Sequence, residues 1–313
     1  MARTMPQTEA PIAERAAPEV VVVVNRHSRR TAHDLAHVHD LLHAHGVRVA
    51  EFHVAANHRE LRRVVKRAAK AGAEAIVAGG GDGTMAHAVD ALAHRKTILG
   101  VLPLGTGNSF AQSLGLDPHD LDAAVAVIAG GRTERIDLGR VNGTYFANFA
   151  TIGLSSEIAG ATPAGAKTWA GPLAYVFSAV WPVLSHRAFR ARIRWKGGSL
   201  DLRTQDVVVA NGRFFGSTPV TTEATITDGS LDLFTTADPS RLGALRTYLA
   251  FGLHRQARLR NAHVVSARSF EIRTRAKQQI SIDGSLLEKT PARFRVAPRA
   301  LRVFVPERGV ARG

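Results

Sequence analysis

"AGGGDGTMAHAVDAL", Ala78 to Leu92, sets Gly79, Gly80, Gly81 and Gly83 around Asp82 and then runs on in small and apolar residues. An apolar run, "AEAIVAG", Ala73 to Gly79, leads into it. The pattern reads as a buried strand, a glycine loop, and a helix beginning after Thr84. In a parallel sheet, ligands bind at the carboxyl ends of strands. Glycines there allow positive φ and let a ligand approach the backbone. The helix N-terminus adds amide donors and a partial positive charge, so the stretch is suited to phosphate. It is not a Walker A loop, because no Lys-Ser/Thr follows the last glycine. Nor is it the dinucleotide fingerprint, because Thr84 stands where glycine or alanine is needed. Asp82 is expected to orient the loop or to act through a bound metal ion, since a carboxylate and a phosphate repel. The plainer reading is that Asp82 and Thr84 cap the following helix.

The same logic repeats downstream. "TILGVLPLGTGNSFAQSLGL", Thr97 to Leu116, passes from a strand through Gly105, Thr106, Gly107 and Asn108 into a helix. Two glycine loops at the ends of successive strands make a composite pocket. The surrounding pattern agrees. Val20–Val24 reads as a strand, 33–45 as a helix closed by Gly46, and "VRVAEFHV" as a strand. Residues 59–71 read as a helix stopped by Gly72, and 121–129 as another. Alternating strands and helices with short connections predict a parallel sheet covered on both faces. Beyond Gly130-Gly131 the texture changes to "FRARIRW", "LDLRTQDVVVAN", "AHVVSARSFEIRTR" and similar period-two runs. A turn is expected at Asn142-Gly143, and helical inserts near 169–186 and 240–258. The expected organisation is a disordered lead over 1–18, an α/β domain over 19–132 and a mostly antiparallel β domain over 133–299. A last strand over 300–306 follows.

The chain of 313 residues has 41 Lys and Arg against 26 Asp and Glu, a formal net charge of +15, and no cysteine. Disulfides and thiolate metal sites are therefore excluded. The charge is dispersed rather than clustered, and no nucleic-acid motif accompanies it. It suits a solvated surface, an anionic membrane or phosphorylated ligands. No secretory signal is read, so a cytoplasmic location is expected. "WAGPLAYVFSAVWPVL", Trp169 to Leu184, is too short and too proline-rich to span a bilayer and reads as a packed or membrane-docking helix. His39 and His43 share a helix face but lack further ligands, so they read as solvated.

"GGGDGT" (79–84) followed by "PLGTGNSFAQSLG" (103–115) resembles the lipid kinase family that includes diacylglycerol kinases, sphingosine kinases and the bacterial lipid kinases. "VVVVNRHSRR", "RIDLGRVNGTYFANFATIGLSSEIA", "VVVANGRFFG", "ATITDGSLDLF" and "ISIDGSLLEKTPARFRVAPRALRVFVP" resemble the family's other segments, in the family's order. The resemblance implies an N-terminal α/β nucleotide domain and a C-terminal β-sandwich. It also implies ATP in the cleft between them and a last strand, "ALRVFVP", that returns to the first domain. It implies transfer of the γ-phosphate of ATP to a lipid hydroxyl, with Mg²⁺, at the inner face of an anionic membrane. A homodimer is an open expectation.

By that resemblance Gly79, Gly80, Gly81, Asp82, Gly83, Thr84 and Met85 hold the nucleotide, with Gly105, Thr106 and Asn108 from the second loop. Asn25, Ser28 and Arg30 match the first turn, and Asp137 matches an acidic position at the junction. Asp228, with the carbonyls of Thr225 and Ser230, matches a magnesium site. Asp82, Asp283 and Ser285 fall at the catalytic positions. This sequence departs from the family's pattern in four places: Ser285 replaces the general-base glutamate, His87 replaces a second glutamate, Ser109 follows Asn108 where many members have aspartate, and the first turn lacks its proline and glycine. Asp283, Asp82 or Glu288 is then the expected substitute base. A nucleotide- or lipid-binding member with weak or no transfer is the alternative. An NAD kinase, which shares the Gly-Gly-Asp-Gly loop, is a further one.

Overall fold

The computed structural model describes residues 19–28, 31–156, 186–212, 214–215, 218–219, 225–252 and 261–310. The lead over 1–18, Arg30 and the Trp169–Leu184 segment lie outside the described residues. The first half alternates β1 (Glu19–Asn25), α1 (Thr31–Ala44), β2 (Arg48–Ala55), α2 (His58–Lys70), β3 (Ala75–Gly80), α3 (Asp82–Leu92), β4 (Ile98–Pro103), α4 (Ser109–Ser113) and α5 (Leu121–Ala129). The strands run parallel in the order β2-β1-β3-β4. β1 is apolar at every central position because both its faces are covered. Val20, Val22 and Val24 pack with Val38 and Leu42 of α1 and Leu121 and Val125 of α5. Val21 and Val23 pack with Leu61 and Val65 of α2 and Val89 and Leu92 of α3.

The second half contains β5 (Thr133–Val141), β6 (Thr144–Phe146), β7 (Phe149–Gly153), β8 (Phe189–Trp195), β9 (Gly198–Thr204) and β10 (Asp206–Ala210). The short pair β11 (Phe214–Phe215) and β12 (Thr218–Pro219) follows. Then come β13 (Leu231–Thr236), α6 (Arg241–Gly252), β14 (Ala262–Ala267), β15 (Ser269–Thr274), β16 (Gln279–Ile282), β17 (Leu286–Lys289) and β18 (Ala292–Phe304). β18, 13 residues long, joins the two halves. Its end pairs parallel with β4, Arg302 opposite Ile98, while its start pairs antiparallel with β15 and β5. The returning strand is thus the last part of one long strand, and the first sheet runs on as β4-β18-β15-β8-β9. β5, which follows Arg132, stays in this sheet.

A second sheet, β14-β13-β10-β7-β16-β17, faces the far part of the first. Phe146, Phe189, Ile193, Phe270 and Phe294 from one sheet interleave with Ile152, Val209, Leu233 and Ile280 from the other. This is a β-sandwich core. "LDLRTQDVVVAN" and "AHVVSARSFEIRTR", each expected as one run, divide. β9 and β15 belong to the first sheet, β10 and β14 to the second. The chain turns the corner at Gln205 and Arg268, where a period-two pattern has no feature to mark the break. Asn142, with φ of 54°, makes the expected hairpin turn between β5 and β6.

Candidate functional site

The loops after β3 and β4 touch backbone to backbone, because these strands are direct neighbours in register, Gly80 opposite Pro103. A Cβ on Gly81 would lie 3.1 Å from the Cα of Gly105, and one on Gly105 would collide with Gly81. A Cβ on Gly80 would collide with Thr84, and one on Gly79 would lie 3.0 Å from Val24. None of Gly79, Gly80, Gly81, Gly83 and Gly105 takes a positive φ. The glycines therefore serve close approach between loop, helix and strand, which corrects the expectation of left-handed backbone. The left-handed residue is Asn108, at φ 47° and ψ 42°. Its side chain closes the second loop by accepting from Gly105 N (2.9 Å) and donating to the Gly105 and Pro118 carbonyls (3.0 and 2.8 Å). Thr106 is exposed at the loop's tip.

Helix α3 starts at Asp82, earlier than expected, with Gly81 as an N-cap that has no side chain to offer. Asp82 and Thr84 do not cap it. Thr84 Oγ1 accepts from Asn25 Nδ2 at 3.0 Å, which ties the first loop to the end of β1. Asn25 Oδ1 takes the His27 amide and its carbonyl takes the Ser28 amide, so this turn folds against the loop. The Asp82 carboxylate accepts from Ser109 Oγ and Phe110 N, both at 3.2 Å, and so binds the amide end of α4. Ser109 is hydroxyl donor to Asp82 where a carboxylate would repel it. Met85, expected at the nucleotide, is 3% exposed and packs in the core, and its amide goes to the Gly81 carbonyl.

Opposite the first loop lies the turn between β16 and β17. Asp283 and Gly284 both take positive φ, 46° and 73°, and Ser285 N closes onto Ile282 O. That is the backbone a type I′ turn requires, and Asp-Gly suits it. The turn swings Asp283 inward. It is 3% exposed and accepts from the amides of Ala147 (2.8 Å), Asn148 (3.1 Å) and Phe149 (2.9 Å). Burial pushes its carboxyl up to about 6 against the pull of these amides, and the Asp82 charge adds to the rise.

Ser285 sits over the first turn of α3. A Cβ on Gly83 would lie 3.5 Å from Ser285 Cβ and 3.3 Å from His58 Cε1. His58 is the first residue of α2, because Asn57 caps the helix by accepting from Glu60 N (2.9 Å) and Glu60 reaches back to Ala56 N (2.8 Å). Its ring stacks on His87 of α3, centroids 4.9 Å apart. Burial, then the charges of His58 and Arg62, push the His87 imidazole down to about 4, with Asp90 pulling the other way. Burial and His27 likewise hold His58 below its ordinary value. The His87 Nδ1 and Ser285 Oγ atoms are buried without a hydrogen-bond partner. Nothing in the local pattern around His58 marks it, and the sequence reading passed over it. The carboxylate of Asp90 is engaged by Arg62 (2.5 Å) and Tyr145 N (3.1 Å), and that of Glu288 by Thr144 Oγ1 (3.0 Å).

The expected metal residues lie elsewhere. Asp228 is exposed, and its carboxylate accepts from Thr225 N, Ser230 N and Ser230 Oγ at 2.8–3.0 Å. The amides of Thr225 and Ser230 thus reach its carboxylate, while the Thr225 carbonyl accepts from the Asp228 amide (3.4 Å). Asp137, 4% exposed, accepts from Gly229 N (2.8 Å) and Arg299 N (2.7 Å), pinning this loop to the bulge of β18. Among the described residues no three His, Asp or Glu side chains gather as a metal-binding group.

Residues 19–141 match the diacylglycerol kinase catalytic domain, and residues 150–305 match the YegS C-terminal NAD kinase beta sandwich-like domain. A Pseudomonas aeruginosa protein named "Probable lipid kinase YegS-like" is 35% identical over 257 residues, 79% of this chain and 82% of the relative. The chain belongs to the diacylglycerol kinase and YegS-like lipid kinase family. Another of its relatives, named "Diacylglycerol kinase", from Staphylococcus epidermidis, is 28% identical over 249 residues, 77% of each chain. Among solved structures, a diacylglycerol kinase from Bacillus anthracis superposes with a TM-score of 0.72 at 19% identity, covering 94% of this chain and 98% of that one. Another chain from the same organism reaches a TM-score of 0.81 at 22% identity, covering 97% and 100%. These likenesses establish the same two-part fold in this lipid kinase family member.

Proposed function

We propose that this lipid kinase family member transfers the γ-phosphate of ATP to the hydroxyl of diacylglycerol or a similar lipid alcohol. The observation that carries the reading is the mutual packing of the two glycine loops at Gly81 and Gly105, on neighbouring parallel strands, with Gly83 just beyond the first loop set against Ser285 of the Asp283–Ser285 turn. The loop backbones and the amide end of α3 receive the phosphates. Asp82 locks the two loops together by binding the start of α4, and Asn25 holds Thr84 in place. Phosphoryl transfer depends mainly on such positioning and on charge neutralisation. The Asp228 carboxylate is already satisfied by the Thr225 and Ser230 amides and the Ser230 hydroxyl, so this loop does not fit the oxygen cage that Mg²⁺ requires. Mg²⁺ arriving with the nucleotide would neutralise phosphate charge. The surplus of basic residues, a net charge of +15, supports a peripheral site of action on the anionic inner face of the membrane. Among the described residues no helix is long and apolar enough to cross a membrane.

The test is transfer of radiolabelled phosphate from ATP to diacylglycerol in mixed anionic vesicles with Mg²⁺. A labelled phosphatidic acid product is expected, lost in Asp82→Ala. Measurable ATP binding with no labelled lipid from diacylglycerol or a total lipid extract would overturn the reading in favour of a non-transferring binder.

A further inference from the structure

Each carboxylate near the Gly83–Ser285 contact is already engaged. Asp82 binds Ser109 and Phe110, Asp283 binds the amides of Ala147, Asn148 and Phe149, Glu288 binds Thr144, and Asp90 binds Arg62 and Tyr145 N. The unsatisfied groups at this point are of another kind. His87 Nδ1 and Ser285 Oγ are buried without partners, and both residues cluster with His58: its ring lies 4.9 Å from that of His87, and a Cβ on Gly83 would meet both His58 Cε1 (3.3 Å) and Ser285 Cβ (3.5 Å). Buried polar atoms are nearly always hydrogen-bonded, so two orphans in one cluster mark a place where a ligand's polar group completes the set. The cluster begins at Gly83, one residue past the start of α3, where the phosphate loop becomes helix. A hydroxyl bound there lies beside the phosphate site.

We propose that His58 is the general base for the acceptor hydroxyl, with His87 and Ser285 as positioning residues that hold its ring and the hydroxyl. The proposal rests on the kinase reading. The acceptor oxygen forms a bond to the γ-phosphorus. The bond from that phosphorus to the bridging oxygen breaks, and its electron pair leaves with ADP. The hydroxyl proton passes to His58 Nε2 and is later released to solvent. An imidazole suits this role because burial keeps it unprotonated at neutral pH. A serine hydroxyl at 285 cannot act alone, but it can accept from or donate to the bound alcohol. Of the titratable groups, His27 after β1 acts on His58 through its charge and His87 on α3 through ring contact, while Arg62 on α2 and Asp90 on α3 act on His87 beside it.

The experiment compares His58→Gln and His58→Asn with the wild type in lipid phosphorylation across pH. The ATP-induced shift in melting temperature serves as the check on folding and on the phosphate loops. The expected result is a fall in kcat of about 10²-fold or more at unchanged KM for ATP. The decline in wild-type kcat on the acidic side of neutrality should vanish in the variants. His58→Gln combined with Ser285→Glu should recover activity, because a carboxylate then stands at the residue that shares the Gly83 contact with position 58. Wild-type kcat in both folded variants, or a reduced kcat that keeps the acidic decline, would overturn the assignment. A wild type that binds ATP and phosphorylates no lipid would instead overturn the kinase reading, and this proposal with it.

Discussion

Asp283 shows how one side chain can be both structural and poised for chemistry. Its carboxylate satisfies three consecutive buried amides between β6 and β7. Asp283→Ala leaves them without an acceptor, and each buried unsatisfied donor costs about 1–3 kcal/mol. A stability loss of about 3 kcal/mol or more is expected in urea unfolding at neutral pH, and a smaller one for Asp283→Asn, which keeps one acceptor oxygen. His87 gives a prediction with a definite sign. Its folded value of about 4 lies below the ordinary 6.5, so the unfolded chain takes up the proton first as pH falls. Stability from this group is complete above 6.5 and is lost on the way down through 4. His87→Gln removes that slope, so the stability difference between pH 7 and pH 5 should shrink in the variant (urea midpoints at the two pH values measure it). Asp283 works in the opposite direction. Its folded value of about 6 lies above 3.8, so its contribution is full below 3.8 and fades as pH rises through 6. The comparison with His87→Gln cancels it.

At the scale of elements, the paired loops behave as one unit. Their glycines pack on each other, and Asn108 and Asp82 tie the unit to α4 and Pro118. Gly105→Ala puts a Cβ against the Gly81 backbone and near Asn108 Oδ1, and backbone cannot move aside cheaply. Overpacking of this kind costs about 1–3 kcal/mol. ATP-induced stabilisation should disappear with it in a thermal-shift assay. Gly143→Ala, where a Cβ meets nothing within 4 Å, is the matched control and should be neutral. The capping of α2 by Asn57 and Glu60 has a similar reach beyond its own helix, since it sets where His58 stands.

For the whole molecule, β18 decides cooperativity. Its later residues Ala300, Leu301 and Val303 sit in the α/β core, while Ala292 and Phe294 sit in the sandwich core. A single strand that serves both cores couples their unfolding. The protein is expected to melt in one calorimetric transition, with equal van't Hoff and calorimetric enthalpies. Truncation after Arg299 removes the partner of β4 and should destroy both cores, with complete loss of protection in hydrogen exchange. Two separate transitions in the full chain would refute this coupling.

The order of strands and helices, the two glycine loops and the Asn142-Gly143 turn were legible in the residues, because each rests on local periodicity or on backbone demands that few residue types meet. The family's segments, in their order, carried the fold further, to the sandwich and the returning strand. Contacts between distant segments were not legible. That Met85 faces the core, that Asp82 serves α4 rather than α3, and that the loop glycines serve each other follow from β3 and β4 lying side by side. The approach of His58, His87 and Ser285 depends on three elements far apart in the chain, packed around one glycine. Local pattern determines what each element is. Only tertiary packing decides which polar groups are left buried, neutral and without a partner.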